Sequence, residues 1–272
     1  MTYQPSTVFN NYARYYDLLY RDKDYAAETE YVAGLIRKFN PSARSILELG
    51  SGTGKHAFLL QERGFKVHGV ERSKEMLNIA RAAKIEAETE VKIEAADNDK
   101  TPSQSESQPV FSEGDIRTIR LSQSFDAVIA LFHVISYQTT NEDVTAVFET
   151  ARQHLNPGGL FIFDVWYGPA VLTERPSVRI KRIADDQNEI TRLAEPVLHP
   201  NENIVDVNYH VFVRNLTSPH TVTELKETHA MRYFFKPEIE LLAAQAGVQC
   251  QQAEEWISGK EIGCDTWASV LS

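Results

Sequence analysis

From residue 48 to 54 the chain reads Glu-Leu-Gly-Ser-Gly-Thr-Gly. Gly50, Gly52 and Gly54 let the backbone approach a ligand without Cβ clashes, with Ser51 between them. Glu48 decides the charge of that ligand: a carboxylate here repels a diphosphate and attracts a cation. The third glycine falls at 54, and Lys55 stands where the G-x-G-x-x-G dinucleotide pattern needs one. S-adenosylmethionine, with an ammonium and a sulfonium, suits the turn better than a dinucleotide. Two further acids fit an adenosine: Glu71 is placed to accept from both ribose hydroxyls. Asp115 is placed to accept from the adenine amino group, with Ile116 packing on the ring.

The transfer such a ligand supports is an in-line displacement that requires no metal, so the protein must align donor and nucleophile and keep the nucleophile unprotonated. His133, in the run Leu131-Phe-His-Val-Ile-Ser-Tyr137, is the candidate base. The blander alternative is a histidine hydrogen-bonded at the head of a helix. Tyr12, Tyr16 and Tyr20 share one face if residues 10–20 are helical, and an aromatic cap of this kind can stabilise a sulfonium by cation–π attraction. Its alternative is a stripe packed on the core. Arg179 and Lys181 fall on one face of a strand, suited to a phosphate-bearing acceptor or simply to solvent.

These residues must be positioned by a β/α alternation. Residues 45–49 read as a buried strand before the glycine turn, and Val67 to Glu71 as a second strand after a helix ended by Gly64. Ser73 caps a helix containing Met76, Leu77 and Ala80. Val110-Phe111 and Phe125 to Leu131 read as strands three and four, followed by a helix with Val144, Val147, Phe148, Ala151 and Leu155 on one face. Asn156-Pro-Gly-Gly159 turns into strand five, Leu160 to Val165. Residues 97–108 read as a mobile surface loop. Such alternation implies a parallel sheet, whose ligands bind beyond the carboxyl ends of the strands. Residues 131–137 should therefore face the transferred methyl. From about 178 to 232 the period becomes two, Val205 to Val213 alternating with polar residues, which reads as an inserted antiparallel sheet. Pro237 and Gly247 bracket a last helix, and two strands close the chain.

The 272 residues carry a formal net charge of −10, which repels nucleic acid. No apolar run approaches the length of a membrane span, and the N-terminus lacks a secretory pattern, so a cytoplasmic protein is expected. Cys250 and Cys264 read as reduced core residues.

Together, Ile-Leu-Glu48-Leu-Gly50-Ser-Gly52-Thr-Gly54, Gly69-Val-Glu71, Glu113-Gly-Asp115-Ile116 and Leu155-Asn-Pro-Gly-Gly-Leu resemble the class I S-adenosylmethionine-dependent methyltransferases from about Tyr12 to the C-terminus. The resemblance implies an α/β, Rossmann-like seven-stranded sheet with its last strand antiparallel. The methyltransferase domain then covers residues 1–175 and 233–272, with a helical cap over about 1–40 and the insertion at 176–232 as acceptor wall and possible dimer contact. It implies S-adenosyl-L-methionine as cofactor and S-adenosyl-L-homocysteine as product. Cofactor contacts are expected at Tyr16, Glu48, Gly50, Ser51, Gly52, Gly54, Glu71, Arg72, Met76, Asp115, Ile116 and Leu131. Acceptor contacts are expected at Tyr20, His133, Tyr137, Arg179 and Arg232. The Tyr16-Asp-Leu-Leu-Tyr20 opening, the 131–137 run and Met231-Arg-Tyr-Phe look like a narrower subgroup, the N,N-dimethyltransferases of nucleotide-linked amino sugars and, more distantly, glycine N-methyltransferase. A small-molecule acceptor, an amino sugar first, and a monomer or homodimer follow. O- or C-methylation of another metabolite and a non-catalytic cofactor-binding protein stand as alternatives.

Overall fold

In Ser45–Leu49 (β1), Ile46, Leu47 and Leu49 are fully buried on alternate faces, which places this strand mid-sheet, with Glu48 its one buried charged residue. A computed structural model of the chain describes residues 12–97, 108–218 and 221–271. On one side of β1 lie Lys66–Glu71 (β2) and Val110–Glu113 (β3); on the other lie Phe125–Ala130 (β4) and Leu155–Tyr167 (β5), all parallel. Ala268–Leu271 (β11) runs antiparallel beside β5 and carries Ala253–Glu255 (β10) on its outer edge. This is the expected seven-stranded sheet with its last strand reversed.

Helices cover both faces. Tyr25–Phe39 (α2), Lys55–Glu62 (α3) and Lys74–Asp97 (α4) pack one core around Val32, Ile36, Leu60 and Leu77, and Asn141–His154 (α5) and Lys236–Gln245 (α7) pack the other around Val147, Phe148 and Leu242. Local chemistry fixes their ends. The Asp24 side chain accepts from Ala27 N at 2.9 Å to start α2, Thr140 accepts from Asp143 N at 3.1 Å to start α5, and Gly247, with φ +74°, follows α7. Ala13–Leu19 (α1) and Gly168–Glu174 (α6) are shorter. Among the described residues no helix is long and apolar enough to cross a membrane.

Two features differ from the sequence reading. β5 starts at Leu155, ahead of the Asn-Pro-Gly-Gly turn, which is a bulge within it: Phe125 pairs with Leu155, and pairing resumes at Ala127 with Leu160. Asn156 Nδ2 donates to Asp126 Oδ1 at 2.9 Å and pins the bulge to β4. Cys264 is exposed and not a core residue, whereas Cys250 is half-buried and packs against the core beneath α5 and α7. Most of the expected 97–108 loop lies outside the described residues.

The insertion is a meander of Arg179–Ala184 (β6), Asn188–His199 (β7), Ile204–Asn215 (β8) and Val222–Phe234 (β9), antiparallel throughout. Val205, Val207, Val211 and Val213 are buried, as their period of two requires. β9 continues past residue 232, and its Tyr233 and Phe234 pair in parallel with Trp166 and Tyr167 of β5. The insertion is thus hydrogen-bonded into the main sheet.

Candidate active site

The strand order reverses between β1 and β4, and the crevice beyond their carboxyl ends receives the glycine turn from one and residues 131–137 from the other. Gly50, Gly52 and Gly54 have φ of +75°, +55° and +83°, a region costly for any side chain. The turn is folded back on β2: Gly50 N and Ser51 N both donate to Val70 O, and Gly54 N donates to Ser51 O. A Cβ on Gly50 would fall 2.7 Å from Val134 Cγ2, and one on Gly54 2.8 Å from Phe111 Cζ, so the turn is closely packed there. At Gly52 the nearest atom is Met76 Sδ at 3.8 Å, which leaves room for a ligand.

Glu48 is 1% exposed. Its Oε1 lies 3.7 Å from His56 Nδ1, and its Oε2 has no hydrogen-bond partner among the described residues. Burial, with the Glu71 carboxyl as a second cause, pushes its pKa up to about 8. Glu71, also buried, accepts from Gly52 N at 2.9 Å and Ser73 N at 2.7 Å; burial raises its pKa against the pull of these N–H groups. Two buried acids, one with an orphaned oxygen, beside a glycine-rich turn open at Gly52 fit a cationic ligand bearing a ribose. Ser51 is buried in the turn with its Oγ unpartnered.

Asp115 follows β3, but both its oxygens already accept from the Arg117 guanidinium, at 2.9 and 2.6 Å, and Arg117 reaches on to Asp143. That guanidinium holds the Asp115 carboxyl below its usual pKa. An adenine amino group here would share an occupied carboxylate. Ile116 is buried beside it, and the exposed Arg72 side chain lies 3.8 Å from Asp115.

Across the crevice, β4 ends in an unusual turn. Phe132 and His133 both have left-handed backbones, φ +65° and +62°, before a 3-10 turn over Ile135–Tyr137. The carboxylate of Asp164, on β5 and 1% exposed, accepts from His133 N with both oxygens, at 3.2 and 3.1 Å, and its Oδ2 lies 2.6 Å from His133 Nδ1. That last contact is close but not aligned as a hydrogen bond, and His133 Nδ1 has no hydrogen-bond partner among the described residues. The His133 ring is 21% exposed and neighbours Trp166.

The N-terminal segment closes this end. Tyr20 packs edge-on to Phe132 at 5.1 Å, Tyr16 lies 4.7 Å from Tyr20, and Thr53 Oγ1 donates to Asp17 in α1. Tyr12, just before α1, is buried and stacks on Tyr209 of β8. This segment therefore bridges the glycine turn, through Asp17, and the inserted sheet, through Tyr12. Tyr137 Oη lies 2.8 Å from His229 Nδ1 of β9, joining the expected acceptor wall to the crevice.

Other expected contacts are placed elsewhere. Arg232 is on the opposite face of β9 from His229, ion-paired with Glu238 and donating to Asn141 Oδ1. It ties β9 to α5 and α7 and does not face the acceptor side. The Leu131 side chain is buried in the core beside Ile46 and Ile129, which leaves only its backbone for a ligand. Arg179 is exposed at the edge strand, on the same face as Lys181, which pairs with Asp22 at 2.5 Å.

Sequence reasoning missed several groups. Asp164 was visible only as one acid in an apolar run, Phe-Ile-Phe-Asp-Val. Arg192 of β7 donates to Tyr12 Oη and Tyr20 Oη at 3.0 and 3.2 Å and lies over the Tyr20 and Tyr209 rings. Behind the glycine turn, Glu28 is bonded to His56 at 2.8 Å, receives the Lys23 ammonium, and accepts from Trp256 Nε1 at 3.3 Å. Burial opposes ionisation of Glu28, but these donors hold its pKa down to about 2.

A family described as methyltransferase domain matches residues 18–252. The dTDP-3-amino-3,4,6-trideoxy-alpha-D-glucopyranose N,N-dimethyltransferase of Streptomyces venezuelae is 27% identical over 252 residues, 92% of this chain and 95% of that one. Among solved structures, Streptomyces venezuelae DesVI superposes with a TM-score of 0.73 at 26% identity, over 96% of this chain and 97% of its own. CalS10 bound to S-adenosylmethionine, an amino pentose methyltransferase from Micromonospora echinaspora, shares the fold with a TM-score of 0.69 at 22% identity, over 99% of each chain.

Proposed function

We infer a function from one premise, that this chain belongs to the methyltransferase domain family. It is an S-adenosylmethionine-dependent enzyme, and we propose that its acceptor is the amine nitrogen of an amino sugar linked to a nucleotide. The donor half rests on the buried Glu48 oxygen that has no partner among the described residues, beside a glycine-rich turn. The acceptor half is supported by the relatives' activities and by the aromatic surroundings of His133, which neighbours Phe132 and Trp166, with Tyr20 edge-on to Phe132.

S-adenosylmethionine, when bound, supplies a methyl group on an electrophilic sulfonium. Glu48 and the glycine turn would hold its charged methionine end, Glu71 the ribose, and Asp115, Ile116 and Met76 the adenine side. Tyr16 and Tyr20 cap the crevice, exclude water and present ring faces to positive charge. An amino sugar amine arrives largely as an ammonium and has no lone pair to attack with. His133 Nε2 takes that proton, with Tyr137, backed by the buried His229, on the acceptor side.

Purified protein would be incubated with isotopically methyl-labelled S-adenosylmethionine and two acceptor series, nucleotide-linked sugars with an amine or with a hydroxyl at the same ring position. Mass spectrometry should find one or two labelled methyl groups on the amines alone. Label on the hydroxyl series, or on neither while the cofactor binds, rejects the acceptor assignment.

A further inference from the structure

We infer that Asp164 is a positioning residue that holds the His133 imidazole in the tautomer whose Nε2 is bare and able to take the acceptor's proton. The inference rests on the reading of His133 as the base. A carboxylate at 1% exposure is costly unless compensated, and no Lys or Arg among the described residues pairs with Asp164. Its contacts all converge on one residue: both oxygens reach the His133 backbone N–H, and Oδ2 lies 2.6 Å from Nδ1. A carboxylate at that distance favours a proton on Nδ1, which leaves the lone pair on Nε2.

The backbone shows that this placement is held against resistance. Phe132 and His133 adopt left-handed conformations that non-glycine residues avoid, and such strain persists only where the surroundings over-determine it. Asp164 fixes the turn through both the backbone and the ring. Val134, wedged over Gly50, fixes it from the other side. At 2.6 Å the carboxylate already touches Nδ1, and catalytic hydrogen bonds often align fully only in the reacting complex.

The proton accounting is closed. An N–H bond of the acceptor ammonium breaks, the proton passes to His133 Nε2, and the electron pair stays on nitrogen for attack on the methyl carbon. Nδ1–H remains on the ring, and the resulting imidazolium is compensated by Asp164. The other neighbours are Trp166 of β5 and Phe132, with the Tyr20 ring and the Lys23 ammonium beyond Phe132, the latter 4.5 Å from its centroid. Among the described residues, Asp164 is the only acid paired with the imidazole.

The test is nitrogen NMR of imidazole-labelled full-length protein, with His133 assigned by comparison with His133→Ala. In the neutral ring the proton should sit on Nδ1, and Asp164→Asn should shift the tautomer toward Nε2–H. The same variant should lower kcat about 10²–10⁴-fold, as expected when a general base is misoriented, with little change in acceptor KM. Adding Asp164→Asn to His133→Ala should cost nothing more. A wild-type ring protonated on Nε2, or an equal loss from Asp164→Asn in the His133→Ala background, overturns the inference. The wild-type spectrum decides even if Asp164→Asn fails to fold. Failure of wild-type protein to methylate any amino sugar would instead reject the proposed acceptor.

Discussion

A carboxyl group hidden from water beside a second acid is a defect until a cation arrives, and Glu48 is such a group, with its pKa at about 8 against an ordinary 4.5. Between these values the folded chain holds a proton that the unfolded chain has released, so this residue lowers stability as pH rises through that window and has no further effect above it. Glu48→Gln should therefore melt higher than wild type at pH 8 without cofactor, by about 1–3 kcal/mol, with the gap closing toward pH 5. Thermal unfolding across that range checks it, and a gap constant with pH would contradict it. A bound cation reverses the sign. At pH 7, S-adenosylmethionine should expel about one proton from wild type and none from Glu48→Gln, read by calorimetry in buffers of different ionisation heat. Glu71→Ala should weaken cofactor binding by about 1–3 kcal/mol through lost hydrogen bonds to the ribose; unchanged affinity would place the ribose elsewhere.

The glycine turn and the turn after β4 act as a pair, because Val134 fills the space a Gly50 side chain would need. Gly50→Ala should cost more than the ~1–2 kcal/mol of left-handed strain, since it also displaces Val134. Gly52→Ala meets only Met76 at 3.8 Å, so it should carry the strain alone yet lose more cofactor affinity. Melting curves and titrations of both variants separate the two effects, and equal losses in each would argue against the placement. Elements with regular periods were readable: β1, the capped helices and the alternation of β8 all follow from apolar spacing and end signals. The Phe132–His133 turn was not, because no Gly or Asn marks its left-handed residues. Nor was the fate of Arg232, since its partner Glu238 lies on the next helix and strand parity alone sends its side chain away from the crevice. Asp115 was legible as an acid after β3. Its capture by Arg117, two residues on, depends on a side-chain conformation that spacing does not specify.

For the whole molecule, the seam between α1 and the inserted sheet is made by Arg192 with Tyr12, Tyr20 and Tyr209. Arg192→Ala should release α1 while leaving the parallel sheet intact. Hydrogen exchange should then accelerate about tenfold or more across Ala13–Leu19, a loss of about 1.4 kcal/mol of local stability, with β1 and β4 unchanged. Uniform acceleration would mean that the seam supports the whole fold. The pairing of Tyr233 and Phe234 with β5 bears on how an acceptor gets in. Because those backbone bonds make the meander an extension of the central sheet, it cannot swing outward as a separate body without tearing strands apart. Any acceptor bound against it therefore meets fixed masonry.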